Sequence, residues 1–309
     1  MTSRLAPDVD PVVLPSSPRL HLLTCLVAPT AGAPAAVAVA CVYGLPAHAV
    51  VGMFVMAYAT GFGVTLGFHR LFAHRSFATS RPLEWALLAL GCAAGQSSPF
   101  FWIATHRRHH RHSDADGDPH SPRTAEGRRL GWWRGFWHAH LGWLCAGGFG
   151  YPPGAVRDLT RRADLVWIDR HWFLWYVAGL LAPAAAGYAI GGTAYDALIG
   201  FLWGGLLRHF LTLQATFCVN SVNHLWGTRP YVTADHSRNN LLTGVLAFGE
   251  GWHNNHHAFP WSARHGLRWW QPDLSWCVLW AMERAGLVWR VRRAVGARGS
   301  EGVAAGTSG

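Results

Sequence analysis

Four long stretches with almost no charged residues most restrict how this chain can fold. Residues 20–43, 47–68 and 172–190 contain no Asp, Glu, Lys or Arg, and residues 193–213 contain only two such residues. Each stretch has about the 20 residues that a helix needs to cross a bilayer. Charged residues make up only 14% of the 309-residue chain, against roughly 25% in an ordinary soluble domain. The sequence therefore predicts an all-α integral membrane protein with four transmembrane helices.

The polar segments between these stretches do not read as a separate domain. Apolar and histidine-rich polar stretches alternate, so we expect one interleaved unit over residues 20–289. Residues 83–103 are apolar but interrupted by polar residues and by Pro99, which predicts a helix in the membrane interface. Residues 1–19 and 290–309 are predicted to be disordered tails. The first tail lacks the apolar run of a secretory signal peptide, and none is expected.

Basic residues are distributed unevenly along the chain. All 26 are arginines, since there is no lysine, and the net charge is +10. The links 44–46 and 191–193 contain no arginine, whereas residues 69–171 and 208–295 contain most of them. Because basic loops stay on the cytoplasmic side, four spans place both termini and a histidine-rich helical cap in the cytoplasm.

This charge does not indicate a nucleic-acid partner. The arginines are scattered among Trp and apolar runs, and none of the usual DNA- or RNA-binding motifs is present. We expect the positive charge to orient the protein in the lipid bilayer and to meet anionic lipid or an anionic substrate head. The six cysteines form no CxxC pair and most lie in apolar stretches, where Cys behaves as a small hydrophobe, so no disulfide is expected.

Two histidine triplets with the same spacing indicate a metal site. His106, His109 and His110 are spaced i, i+3, i+4, and the stretch 253–257 repeats this spacing. On a helix such positions share one face, so each triplet can present its rings to one point. A lone histidine is more often a hydrogen-bonded structural residue than a ligand. Two matched triplets are instead a strong indication of metal binding.

The third histidine motif is a pair and not a triplet. His69 and His74 are spaced i, i+5, which on a regular helix separates the side chains by about 140°. The two rings would then bind different ions of a pair, or lie where the helix frays. Imidazole suits iron, copper, nickel and zinc, so the ligand type leaves the metal open. The number of histidines is too large for one ion, and two ions are the economical interpretation.

Four motifs follow one another along the chain, HRLFAHRSF at 69–77, HRRHHRHSDADGDPHSP at 106–122, NSVNHLWG at 220–227 and GEGWHNNHHAFP at 249–260. In this order they resemble the membrane fatty acyl desaturase family, of the stearoyl-CoA (delta-9) type. The first two resemble its first and second histidine boxes. NSVNHLWG at 220–227 is similar to the segment that supplies a further histidine, and GEGWHNNHHAFP at 249–260 to the third box. The resemblance runs from about His69 to Trp289.

The resemblance implies a di-iron centre and an activity. In the family, an electron donor reduces two iron ions, O2 is activated, and two hydrogens are removed from adjacent carbons of a long acyl chain to give a cis double bond, here expected at carbon 9. Asn220 matches a residue that contacts one iron through water. The nine histidines that match the family's iron ligands are His69, His74, His106, His109, His110, His224, His253, His256 and His257.

Further residues are implied around the metals and the substrate. By resemblance, Gln96, Trp102 and Thr216 surround the bend of the acyl chain, although Trp102 could equally be one of many interfacial tryptophans. Oriented imidazoles also need hydrogen-bond partners. The nearby candidates are Asp114, Asp116, Asp118, Glu250 and Asn254.

Two further expectations concern the carrier of the acyl chain and the source of electrons. After HAHLGWL at 138–144, animal members have basic residues that contact coenzyme A, whereas this chain reads CAGGFG. We expect an acyl-CoA thioester, with acyl-ACP and a membrane lipid as alternatives. Arg107, Arg108, Arg111 and Arg123 are available for phosphate contact. Electrons are expected from a separate donor, namely a ferredoxin, a rubredoxin or a cytochrome b5-like protein with its reductase. A bacterial cell membrane is the expected location.

Two alternatives remain beside this interpretation. A membrane di-iron hydroxylase or ketolase would share the histidine clusters but insert oxygen; the match around 220–227 and 249–260 favours desaturation. A metal transporter would be expected to have ionisable residues within its spans. The first three spans contain no Asp, Glu, Lys or Arg, and their histidines, His21 and His48, lie near the span ends.

Overall fold

A computed structural model describes residues 18–146 and 150–294 as a mostly helical protein. Among these residues, three helices are long and apolar enough to cross a membrane: Arg19–Tyr43, Ala47–Ala73 and Trp172–Gly191. They correspond to the first three spans predicted from the sequence, and we call them the first, second and third spans.

The predicted fourth span lies within a longer helix. Residues 194–225 form one continuous helix, here called the long helix, which begins at a capping box between Thr193 and Asp196. Its first half is apolar but includes Asp196 and the buried Arg208. The long helix is therefore less apolar than the three spans. Among the described residues, three helices are long and apolar enough to cross a membrane.

The two turns that join these helices in pairs lie side by side. The first and second spans are joined at residues 44–46, and the third span and the long helix at residues 192–193. The Tyr195 hydroxyl donates to the Gly44 carbonyl oxygen, and His48 Nε2 lies 3.3 Å from an Asp196 carboxylate oxygen. Both turns therefore lie at the same end of the helical bundle.

The prediction of one interfacial helix at 83–103 is wrong in one respect, because this segment belongs to two helices. Arg81–Ala93 ends before a loop, and Pro99–His112 begins after it. Gly95 and Ser97 in this loop have φ of 75° and 78°, which no helix accommodates. Pro99 then starts the second helix at a position where its missing N–H is not needed, and the Ser98 side chain caps it. The second segment, the His106 helix, belongs to the cap.

The chain beyond the long helix packs back onto the second span. Strand Val288–Trp289 pairs antiparallel with Ala78–Thr79, and the Arg292 N–H donates to the Ser76 carbonyl oxygen. Residues 290–294 are therefore ordered, and the boundary predicted for the C-terminal tail is too early. Pro18 and Arg19 likewise begin the first helix. The rest of both predicted tails, 1–17 and 295–309, lies outside the described residues.

The remaining elements complete the cap and the bundle. The core joins both, since Phe68, Ile103, Trp172 and Leu279 belong to one buried apolar cluster. The α-helices are Pro18–Leu22, Ala28–Tyr43, Ala47–Phe62, Arg81–Ala93, Pro99–His112, Trp132–Trp137, Trp143–Cys145, Arg157–Thr160, Ala163–Arg170, Trp172–Gly191, Ala194–Gly200, Arg208–Leu225, Leu241–Leu246, His253–Ala258 and Leu274–Arg284. Leu23–Val27, Gly63–Ala73, His138–Gly142 and Phe201–Leu207 are π-helical, Pro153–Val156 is a 3₁₀ turn, and Thr124–Ala125 pairs with Arg128–Arg129.

Candidate metal centre

Both histidine triplets lie on helices, as their spacing predicts. His106, His109 and His110 are in the last turns of the His106 helix. The second triplet occupies the short helix His253–Ala258, here called the His253 helix. The three rings of each triplet therefore lie on one side of a helix and face the other triplet.

The pair His69 and His74 is brought together by a feature that the spacing argument did not include. The end of the second span, Gly63–Ala73, is π-helical, and the His74 N–H donates to the His69 carbonyl oxygen at 3.0 Å. Such i to i+5 bonding places residues five apart one above the other. Their ring centroids are 4.8 Å apart. The first of the two alternatives, that the rings bind different ions, assumed a regular α-helix and is contradicted by their shared cluster.

The nine predicted ligand histidines form two groups. In each group every histidine contributes one ring nitrogen, and these nitrogens all lie within 4.8 Å of one another. The five-histidine cluster contains His69, His74, His106, His110 and His256. The four-histidine cluster contains His109, His224, His253 and His257. Each HxxHH triplet contributes to both clusters, so the two candidate ion positions lie between the His106 helix and the His253 helix.

Carboxylates fix the orientation of four of these rings. Glu250 accepts from His69 Nδ1 at 2.7 Å, and Asp114 from His224 Nδ1 at 2.8 Å. The other two pairs are His109 with Asp118 at 3.1 Å and His257 with Asp235 at 2.5 Å. A ring whose Nδ1–H is donated in this way has its lone pair on Nε2, which is the tautomer a metal needs.

The Nε2 atoms of different rings face each other at short distances. His109 and His257 both donate Nδ1–H to carboxylates, yet their Nε2 atoms are only 3.3 Å apart. Two lone pairs at this distance repel unless a cation lies between them. Similar contacts of 2.8–3.1 Å join His74 to His106, His256 to His69 and His110, and His253 to His224. The donor set therefore fits two metal ions bound through Nε2.

The charge states of the groups agree with this fit. Burial and neighbouring imidazoles lower the pKa of His106, His110 and His253 well below the usual histidine value, so these rings are neutral. Burial would raise the pKa of Glu250, but His69, His265 and Arg70 together lower it well below its ordinary range. Neutral imidazoles held by ionised carboxylates are the forms that bind metal without a competing proton.

A mostly apolar cavity reaches the clusters from the membrane side. Gly61, Val64, Ala215 and Phe248 line its apolar part, and His69, His106, His109 and His253 line it at the metal clusters. A second cavity, between the first span and the His106 helix, is lined by Cys25 and Trp143. Residues common to both cavities are Gln96, Trp102, His106, Thr216 and Asn220.

The three residues predicted at the bend of the substrate lie together where the two cavities join. Trp102 Nε1 donates to Gln96 Oε1 at 3.0 Å, and Gln96 Nε2 donates to Thr216 Oγ1 at 2.8 Å. The Trp102 ring also stacks on His106, with ring centroids 5.1 Å apart. This hydrogen-bonded trio therefore lines both cavities beside the five-histidine cluster.

Some residues around the site were missed by the sequence analysis, and some candidates lie elsewhere. Asp235 was not anticipated, because nothing in its spacing relates it to His257. Asp116 is exposed and accepts from the Gly127 N–H, so it holds no ring. Asn254 fixes a neighbouring loop through Tyr231. Arg107 is held by Asp158 and by carbonyl groups on the solvent side, away from both cavities.

Comparison with known proteins gives consistent matches. A model of the fatty acid desaturase family matches residues 24–293. The hex-5-enoyl-[acyl-carrier protein] acetylenase of Moorena producens (strain JHB) is 41% identical over 277 residues, which cover 88% of this chain and 85% of that protein. The sn-1 stearoyl-lipid 9-desaturase of Anabaena variabilis is 38% identical, with coverage of 80% and 85%. The icosanoyl-CoA 5-desaturase of Limnanthes douglasii is 36% identical, with coverage of 78% and 64%.

Proposed function

This chain belongs to the fatty acid desaturase family, and on that basis we propose that it introduces a cis double bond at carbon 9 of a long saturated acyl chain. The net reaction converts –CH2–CH2–, O2, two electrons and two protons into –CH=CH– and two water molecules. The observation that supports this proposal is the position of the clusters, because histidines of both clusters line a mostly apolar cavity.

Two iron ions are the proposed cofactor. The five-histidine cluster would hold one ion, and the four-histidine cluster, with Asn220 through a water molecule, would hold the other. When bound there, iron supplies the O2 chemistry strong enough to remove hydrogen from an unactivated methylene group, which side chains alone cannot do. The carboxylates keep the rings in the binding tautomer. Gln96, Trp102 and Thr216 hold the acyl chain bent beside the clusters.

For the carrier, we propose an acyl-CoA thioester, with a lipid-linked chain as the second candidate. The three similar proteins act on an acyl-carrier protein, a lipid and an acyl-CoA, according to their names. The segment CAGGFG at 145–150 has no basic side chain to contact coenzyme A, which is why the lipid-linked chain is kept as the second candidate. Any of the three carriers delivers the same methylene groups to the cavity.

We further propose that the long helix is a fourth span and that the clusters face the cytoplasm of a bacterial cell. His69 ends the second span and His224 ends the long helix, and both lie at one site. The chain must therefore cross the membrane an even number of times between them. The third span is one crossing, so the long helix is the other. The arginine-poor turns then face away from the cytoplasm.

The test of this function is expression in a host that lacks its own desaturase, followed by analysis of lipid fatty acids and location of the double bond by mass spectrometry. We expect a new cis-9 monounsaturated acid. His256→Ala should abolish it, because His256 lies between His69 and His110. His171→Ala, a histidine outside both clusters, should not. Only hydroxylated products, or no product from iron-loaded protein with reductant, would overturn the proposal.

Assays of purified protein with stearoyl-CoA, stearoyl-ACP and a stearoyl glycerolipid distinguish the carriers. Faster turnover of stearoyl-CoA supports the first candidate. Turnover of the glycerolipid alone would replace it with the second. The position of the double bond should be the same whichever carrier is used, since the cavity beyond the trio does not change.

A further inference from the structure

The ligand histidines have two exposed sides, and only one of them faces the acyl cavity. His69, His106, His109 and His253 line that cavity. On the other side, a solvent-open cleft is lined by His74, His110 and His257. The first two belong to the five-histidine cluster and the third to the four-histidine cluster. Both metal positions are therefore separated from this cleft by a single imidazole ring.

Loop residues form the rim of the cleft, outside the spans. Val232 is fully exposed, at 102% relative accessibility, and Ala234 beside it is also exposed. Ala73, Ala258 and Pro260 complete a wall of small apolar groups. Small apolar groups of this kind allow another protein surface to approach closely.

Positive charge surrounds this cleft. Arg107 lines it, and Arg75, which is 65% exposed, shares the Asp158 carboxylate with Arg107. Arg111 is exposed one helical turn beyond Arg107, next to His110. Arg229 is exposed and donates to the Asp235 carbonyl oxygen in the cleft wall. Among the residues that the structure describes, these four guanidinium groups thus lie near two carboxylates, those of Asp158 and Asp235, and both carboxylates are already paired.

We propose that this cleft, which we name the donor cleft, is the docking site of a small acidic one-electron redox protein. The inference rests on the proposed function, since the net reaction needs two electrons that the substrate does not supply. Electron transfer slows steeply with distance, so a donor must approach the metals closely. The donor cleft offers that approach while the acyl chain occupies the opposite side. Two successive dockings of a reduced donor deliver the two electrons, and each leaves one donor oxidised.

Charge sets the kind of partner. A positive rim attracts a negatively charged protein, which raises the association rate and makes binding weaken with salt. The apolar wall around Val232 then gives a contact from which water can be excluded. An acidic [2Fe–2S] ferredoxin has the charge that such a surface attracts.

The experiment measures binding of oxidised, acidic [2Fe–2S] ferredoxin to the full-length protein in detergent, without turnover. We expect a Kd that rises with salt, and a further rise of about tenfold for Arg111→Glu, which is about 1.4 kcal/mol. Arg129→Glu, a matched charge reversal on the exposed hairpin, should leave the Kd unchanged. Val232→Glu should also weaken binding, and more than Val232→Gln, because both remove an apolar contact but only Glu adds a charge that repels an acidic partner. Unfolding temperature and iron content show whether each variant is intact.

Two outcomes would overturn the donor cleft. Equal weakening by Arg111→Glu and Arg129→Glu would mean unspecific attraction to a basic protein. Unchanged binding in Arg111→Glu and Val232→Glu would place the donor elsewhere. Because binding is measured with no acyl substrate, the result is independent of the desaturase assay. A protein that binds ferredoxin at this cleft but forms no double bond would refute the proposed function and leave the docking site standing.

Discussion

At the scale of single residues, the site depends on carboxylates that the chain brings from distant segments. Asp235 accepts from His257 Nδ1 and also from the Ser237 hydroxyl. Its pKa is lowered, because hydrogen bonds and charge from His257 outweigh the effect of burial. An ionised Asp235 therefore keeps His257 in the tautomer that presents Nε2 to the four-histidine cluster.

Removing this carboxylate should weaken metal binding without removing any ligand. For Asp235→Ala we expect iron affinity to fall roughly 10–100-fold, the usual effect of losing a partner of a ligating histidine. Loss of iron to a chelator, followed by elemental analysis, measures it. Asp116→Ala is the matched control, since Asp116 is exposed and holds only the Gly127 N–H. Equal chelator sensitivity in both variants would show that Asp235 does not support the site.

Phe248 and Gly61 both line the acyl cavity and contact each other there. A methyl group built on Gly61 would lie 2.2 Å from the Phe248 ring, so the ring sits there only because residue 61 has no side chain. Phe248→Ala should lengthen the cavity and shift preference from C18 toward C20 chains by roughly tenfold, since each accommodated methylene is worth about 1–3 kcal/mol. Competition between the two substrates measures this ratio. An unchanged ratio would mean that the chain end lies elsewhere.

At the scale of elements, irregular helices are what the sequence pattern could not predict. The first three spans follow from their apolar length, and both HxxHH triplets are helical as expected. The π-helical turn at Gly63–Ala73 has no compositional signal, and it decides that His69 and His74 share a cluster. The break at 94–98 was signalled by Pro99, but its positive φ values depend on how the neighbouring helices pack.

Arg208 is the residue by which the long helix is tied to its neighbours. Its side chain is completely buried and donates to the carbonyl oxygens of Ala93 and Gly179, at 3.1 and 3.4 Å. Within the described residues its hydrogen bonds go to carbonyl groups and to the Thr60 hydroxyl, and no carboxylate pairs with it. One side chain thus joins the long helix to the second and third spans and to Arg81–Ala93.

Replacing Arg208 should therefore loosen the bundle. Arg208→Met leaves buried carbonyl groups without a donor, at a cost of about 1–3 kcal/mol each. We expect the unfolding temperature in detergent to fall by roughly 5–10 °C, at about 2–4 °C per kcal/mol. Arg170→Met, at an exposed arginine, is the control and should change it little. Equal stability of the two variants would mean that Arg208 does not link the helices.

At the scale of the whole molecule, the site exists only because of the topology. Motif order predicts which histidines are ligands, but the division into clusters of five and four depends on how the His106 helix, the His253 helix and the second span meet. No local pattern specifies that arrangement. The distribution of arginines does predict that the basic regions share one side, and their convergence in space agrees with it.

Membrane orientation is the last prediction that follows from this topology. Leu45 lies in the turn between the first two spans, beside the turn that precedes Tyr195. Trp269 lies on the cap and is 94% exposed. In a cysteine-free background, Leu45→Cys should react with a membrane-impermeant maleimide added to intact cells, after the outer membrane has been opened where the host has one. Trp269→Cys should react only after the cell membrane has been made permeable.

The arginine distribution predicts which end of the bundle faces the cytoplasm. The two residues lie at opposite ends of the bundle, so they should differ in labelling. Labelling of both from outside would rule out the even number of crossings. Labelling of Trp269→Cys alone would keep the topology but reverse it, placing the metal clusters and the donor cleft outside the cytoplasm.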